Sequence, residues 1–177
     1  MQHRLAGVGR ALGKLATLAL WLSSIGMIAM TAMVAWQVFT RYILNASPSW
    51  TEPASVMVMS WFIFLGAAVG VRENFHMGFD VLVHFLPAST APWMRAISDL
   101  AVLVFAIGMV GYGMQLTIDT WTAVLPVLHL PGGFTYMPIV AGGVLMALFS
   151  LERLVLRAAG VMVDHDPNAE DVMLSEA

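Results

Sequence analysis

Apolar residues gather into four long blocks along this chain. Leu15–Thr40, Pro53–Val71, Leu100–Leu116 and Phe134–Leu151 contain no Asp, Glu, Lys, Arg or His. A helix covers the ~30 Å of bilayer hydrocarbon with roughly 20 such residues. None of the blocks alternates apolar and polar positions with period two, which argues against barrel strands. Lipid offers backbone N–H and C=O groups no partner, and a helix supplies them all within itself. The pattern predicts an all-α integral membrane protein with four transmembrane helices, at about 15–40, 53–71, 97–119 and 134–156. Residues 1–160 then form one membrane domain, and 161–177 an acidic, flexible tail.

The connectors carry their own patterns. Arg41 and Tyr42 suit the interface where the first span ends, and Asn45-Ala46-Ser47-Pro48 reads as a turn. Ser49-Trp50-Thr51-Glu52 has the spacing of a capping box, with Pro53 in the first turn of the helix it starts. After Arg72 and Glu73, residues 74–86 are amphipathic. His76, Asp80 and His84 form a polar stripe at i, i+4 and i+8, opposite Phe79, Leu82, Val83 and Leu86. Such a helix lies in the headgroup plane with its apolar side down. The histidine spacing also permits a metal, but a closed site needs further ligands and supporting partners. The wet interfacial face is therefore the reading taken, with no metal. Trp121, Val124, Leu125 and Leu128 predict a second short interfacial helix, weakened by Pro126. Pro131-Gly132-Gly133 breaks the chain before the fourth span. Within the spans, Gly66 and Gly70, and then Gly108, Gly111 and Gly113, offer small-residue faces for close helix packing.

Composition agrees with the block pattern: 59% of residues are hydrophobic and 11% charged, against roughly 25% charged in soluble domains. The chain has no cysteine, so disulfides and thiolate metal sites are excluded. The net charge of -3 is local, since five of the 11 acidic residues lie between Asp164 and Glu176. Arg4, Arg10, Lys14, Arg72, Arg95, Arg153 and Arg157 fall on one side of the four spans, and only Arg41 falls on the other. This asymmetry places both termini in the cytoplasm. The first apolar run exceeds the ~7–15 residues of a signal-peptide core, so it is read as an uncleaved span.

The spans carry almost no ionisable group, whereas an intramembrane charge is the usual mark of an ion or substrate pathway. No span holds the pair of histidines a haem would need. There is no phosphate-binding glycine loop and no nucleophile elbow, so no catalytic residue is assigned and the chain is not read as an enzyme.

The run from Trp36 to Leu82 resembles the small membrane subunit of tripartite ATP-independent periplasmic (TRAP) transporters, the DctQ-type small permease. The resemblance rests on Gln37 with Arg41-Tyr42, Ser49 and Glu52 with Trp50-Thr51 between them, Trp61, Gly66-Ala67-Ala68, Val71-Arg72-Glu73, and His76-Met77-Gly78 with Asp80. Met137-Pro138-Ile139 at the fourth span also fits. One departure is Pro53, where family members often carry a second acid after Glu52. The resemblance implies a multi-pass subunit of the bacterial inner membrane. It implies partnership with a large membrane subunit that couples uptake to sodium, and with a periplasmic solute-binding protein that delivers a carboxylate-bearing solute. This chain would scaffold the large subunit and bind no cofactor itself, sodium binding the large subunit. Arg41, Trp50, Glu52, Gly66, Gly70, Arg72, Glu73, His76 and Asp80 are the candidate partner-interface residues. Two alternatives stay open on the residues alone, a self-sufficient small carrier and the membrane anchor of a respiratory complex.

The charge asymmetry makes a topological prediction. Reporter fusions at residue 2, Ala88 and residue 170 report a cytoplasmic location, and fusions at Ala46 and Pro131 a periplasmic one.

Overall fold

The computed structural model describes residues 2–46, 48–73 and 91–158. Four helices run through them: α1 (Gln2–Tyr42), α2 (Thr51–Arg72), α3 (Ala91–Asp119) and α4 (Met137–Ala158). Each contains a stretch long and apolar enough to cross a membrane: Gly9–Tyr42, Thr51–Arg72, Ala96–Asp119 and Met137–Arg157. The four-helix, all-α expectation holds. The expected helix over 74–86 and the tail over 161–177 lie outside the described residues.

The helix ends differ from expectation in two places. α2 starts at Thr51 with Trp50 as its N-cap in helical geometry, and no side chain caps it. Ser49 therefore sits one residue too early, and the capping box does not form. The Thr51 hydroxyl instead donates to the Pro48 carbonyl at 2.8 Å, and the Ser55 hydroxyl to the Thr51 carbonyl at 2.7 Å. The second departure follows α3. Residues 121–128 form no helix; Val124 pairs with Pro131 in an antiparallel bridge. Pro126 has no N–H for a helix and pushes the residue before it away from helical angles. His129, at φ 53°, turns the chain back, and the Gly132 N–H reaches the Ala123 carbonyl at 2.5 Å. A 3-10 turn, Gly132–Thr135, then leads into α4, which is why α4 starts later than its apolar block.

The helices stand in a row. α1 packs on α2, α2 on α4, and α4 on α3. Water does not drive helices together inside lipid, so close van der Waals contact between small residues must do so. Two consecutive glycines on α4 meet this need in opposite directions. A Cβ on Gly142 would stand 2.7 Å from the Phe64 Cβ of α2. A Cβ on Gly143 would stand 3.1 Å from the Met109 Cβ of α3. At the α1–α2 contact, the Ser23 hydroxyl donates to the Phe62 carbonyl at 2.7 Å. A Cβ on Gly66 would come within 2.9 Å of that hydroxyl. The core is built from small and medium side chains of all four helices: Leu12 and Ala16, Ala68 and Val71, Ala106, and Met146 and Phe149.

The glycines expected to pack thus separate. Gly66 and Gly113 are contact positions, while Gly70, Gly108 and Gly111 face open space. Gly142→Leu and Gly66→Leu overpack tight crossings and lower stability by about 1–3 kcal/mol each, whereas Gly70→Ala is close to neutral. Thermal unfolding of the purified chain in mild detergent checks all three.

Candidate functional site

The charged residues of α4 lie at its last turns, where Arg153 and Arg157, four apart, share a face. α3 runs antiparallel to α4, which brings Asp99, two turns into α3, to the same level. Asp99 and Arg153 are buried, 4% and 7% exposed. Arg153 Nη2 lies 3.1 Å from Asp99 Oδ1, and Arg157 Nε lies 2.8 Å from Asp99 Oδ2. The second contact is an ion pair whose N–H is not aimed at the oxygen. Arg153 Nη1 also donates to the Val71 carbonyl at 2.6 Å. That carbonyl is in the last turn of α2, where carbonyls lack a partner within the helix and favour a cation. The Ser150 hydroxyl donates to the Asp99 carbonyl at 2.6 Å. One cluster therefore ties α2, α3 and α4.

A looser pair lies between α2 and α4, next to α1. Arg72 Nε lies 3.5 Å from Glu152 Oε2, and the Arg72 guanidinium sits 5.7 Å from the ring centre of buried Phe149. α1 turns glycines toward both partners. A Cβ on Gly13 would be 3.5 Å from Arg72 Nη2, and one on Gly9 3.4 Å from Glu152 Oε1. Among the described residues, no group of three or more His, Cys, Asp or Glu is placed to hold a metal. The His76, Asp80 and His84 stripe lies outside the described residues.

The candidate interface residues fall at both ends and in between. Arg41, Trp50 and Glu52 are exposed around the α1–α2 turn. Gly66 is covered by α1, and a Cβ on Gly70 would meet no atom within 4 Å among the described residues. Arg72 belongs to the charged cluster, and Glu73 is exposed beside it. His76 and Asp80 are not among the described residues. Sequence reading used Arg153 and Arg157 for orientation only and missed their pairing with Asp99. The available signal was two arginines four apart at one membrane edge and an acid at the same edge of an adjacent, antiparallel span.

Removing one partner of a buried ion pair strands a charge, at a cost of about 3–5 kcal/mol. Asp99→Ala, which leaves Arg153 and Arg157 facing each other, is expected to destabilise the chain by that order. Loss of folded, monodisperse protein on gel filtration and a lowered melting temperature in detergent measure it.

Residues 30–160 match the family described as tripartite ATP-independent periplasmic transporters, DctQ component. A Haemophilus influenzae protein named as a TRAP transporter small permease protein is 30% identical over 82% of this chain and 91% of its own length. A Vibrio cholerae C4-dicarboxylate TRAP transporter small permease protein is 32% identical over 46% of this chain and 35% of its own. A Haemophilus influenzae sialic acid TRAP transporter permease protein is 23% identical over 76% of this chain, a stretch that makes up only 21% of that longer protein. The match runs from the middle of α1 to the end of α4, and a relative aligns with it almost end to end: this multi-pass membrane chain belongs to the DctQ family, the small permease component of TRAP transporters.

Proposed function

We propose that this chain is a non-catalytic scaffold subunit of a TRAP transporter in the bacterial inner membrane, with both termini cytoplasmic. It braces a large sodium-coupled subunit that takes up a carboxylate-bearing solute delivered by a periplasmic binding protein. The observation that carries this reading is the relative in which the matched stretch is a fifth of a longer permease chain. Covalent continuity there supports a stable partnership with a larger permease here. The exposed apolar surface of α1 supports it too, since only 6% of the most apolar window of that helix is buried in the chain itself. The solute class follows the names of two relatives, for a C4-dicarboxylate and for sialic acid, both of which carry carboxylates. Sodium and solute sites belong to the large subunit on this reading.

Reconstituted vesicles test it. The large and small subunits copurify in equal amounts, and sodium-driven uptake requires both together with the binding protein. Uptake by the small subunit alone overturns the scaffold reading. Arg41→Ala, Trp50→Ala or Glu52→Ala leaves copurification intact and raises the concentration of binding protein needed for half-maximal uptake. Solute preference stays unchanged in each variant.

A further inference from the structure

We infer that the connector between α3 and α4 is seated in lipid, as an apolar hairpin lying in the headgroup layer at the end opposite the charged cluster. The inference rests on the membrane-spanning character of the chain and not on its transport role. No Lys, Arg, Asp or Glu occurs between Asp119 and Glu152. The hairpin exposes apolar surface: Trp121 is 49% exposed, Val124 63% and Val127 40%. A loop of this exposure in water would present an apolar patch whose one flanking charge is the exposed Asp119 at the end of α3. On α3 the exposed apolar surface continues from the hairpin through Ile118, 65% exposed, and Leu116, 42%.

The backbone is equipped for the same place. The hydrocarbon beneath the headgroups tolerates irregular chain only where its polar groups have partners. The Leu125 N–H donates to the Leu130 carbonyl at 2.9 Å, the His129 N–H to the Leu125 carbonyl at 2.9 Å, and the Gly132 N–H to the Ala123 carbonyl at 2.5 Å. Pro126 and Pro131 have no N–H to satisfy. The hairpin is also fixed to α3. A Cβ on Gly133 would run into the Thr117 carbonyl and come within 2.8 Å of the Trp121 ring, so only glycine allows this approach. The α1–α2 turn differs in its charge: exposed Arg41 and Glu52 flank exposed Asn45 and Ser49, beside the exposed apolar Ile43 and Leu44.

Because the chain has no cysteine, a single one introduced at an exposed position is its sole labelling site. Val124→Cys and Val127→Cys, carrying a nitroxide, are placed as full-length protein in phosphatidylcholine–phosphatidylglycerol vesicles. Collision rates with oxygen, which partitions into lipid, and with a neutral nickel chelate, which stays in water, are then compared. Val104→Cys on exposed α3 is the lipid reference and Ala46→Cys the water reference. The expected result is an oxygen-to-nickel ratio at both hairpin positions several-fold above that at Ala46 and approaching that at Val104. A ratio like that at Ala46 overturns the inference. Shielding from both probes, with an immobilised label, marks cover by protein and overturns it as well. Should a labelled variant fail to fold, quenching of Trp121 by brominated lipids, with the other tryptophans changed to Phe, decides the same question. Quenching supports the seating, and its absence overturns it.

Discussion

A carboxylate held between two guanidinium groups sets the register of the helix row. Asp99 is buried at the edge of an apolar assembly, where an unpaired charge is costly. It is matched only when α3 and α4 stand at the one axial offset that brings Arg153 and Arg157 to its two oxygens. Arg153 extends the same constraint to α2 through the Val71 carbonyl. The attraction is a specificity device more than a source of net stability, since desolvation consumes much of the Coulomb gain. A slip of one residue along either helix would leave a buried charge without its partner. The Arg72–Glu152 pair adds a second tie between α2 and α4, and α1 passes it at Gly9 and Gly13.

With the register fixed at one end, the closeness of the row depends on small residues. α4 lies between two neighbours, and its Gly142–Gly143 pair lets both come near. α1 and α3 are the outer members of the row, and each contacts its own chain on one side. The difference is large enough to matter: 33% of the α4 window is buried and 6% of the α1 window. Most of α1 therefore faces lipid or another protein, and its length of about 60 Å, at 1.5 Å per residue, carries it beyond the hydrocarbon layer.

The fold was legible in the sequence because its main determinant is one-dimensional. Uninterrupted apolar blocks mark spans whatever they pack against, and α2 and the far end of α3 came within two residues of expectation. What failed depended on single residues or on three-dimensional neighbours. Ser49 had capping-box spacing, but the helix began one residue later than that box requires. Trp121, Val124, Leu125 and Leu128 had helical spacing, but Pro126 and a left-handed His129 produced a hairpin. Gly66 and Gly70 looked equivalent as a pair, yet only Gly66 meets α1, because the crossing of two helices selects one position. Asp99 was visible as an acid near a span end, and its partners came from a helix some 50 residues away. The residues of the family resemblance lie mostly on α1 and α2, while the charged cluster draws chiefly on α3 and α4.

That separation bears on how such a chain could take part in transport. A cation site in a membrane needs oxygen ligands left open to the ion. Both carboxylate oxygens of Asp99 already face arginines, and the Asp99 backbone carbonyl accepts from Ser150. The surrounding excess of positive charge repels a cation further, since three arginines meet two carboxylates in the cluster. Hydroxyls along α1 and α2 are taken up by backbone carbonyls: Ser24, Thr31 and Ser60 each donate to the carbonyl four residues earlier, and Ser23 to that of Phe62. Groups committed in this way offer a passing ion or solute little to exchange for its hydration shell. Among the described residues, what the chain presents outward is an apolar helix row, tied at one end by the charged cluster and with many exposed large hydrophobic side chains.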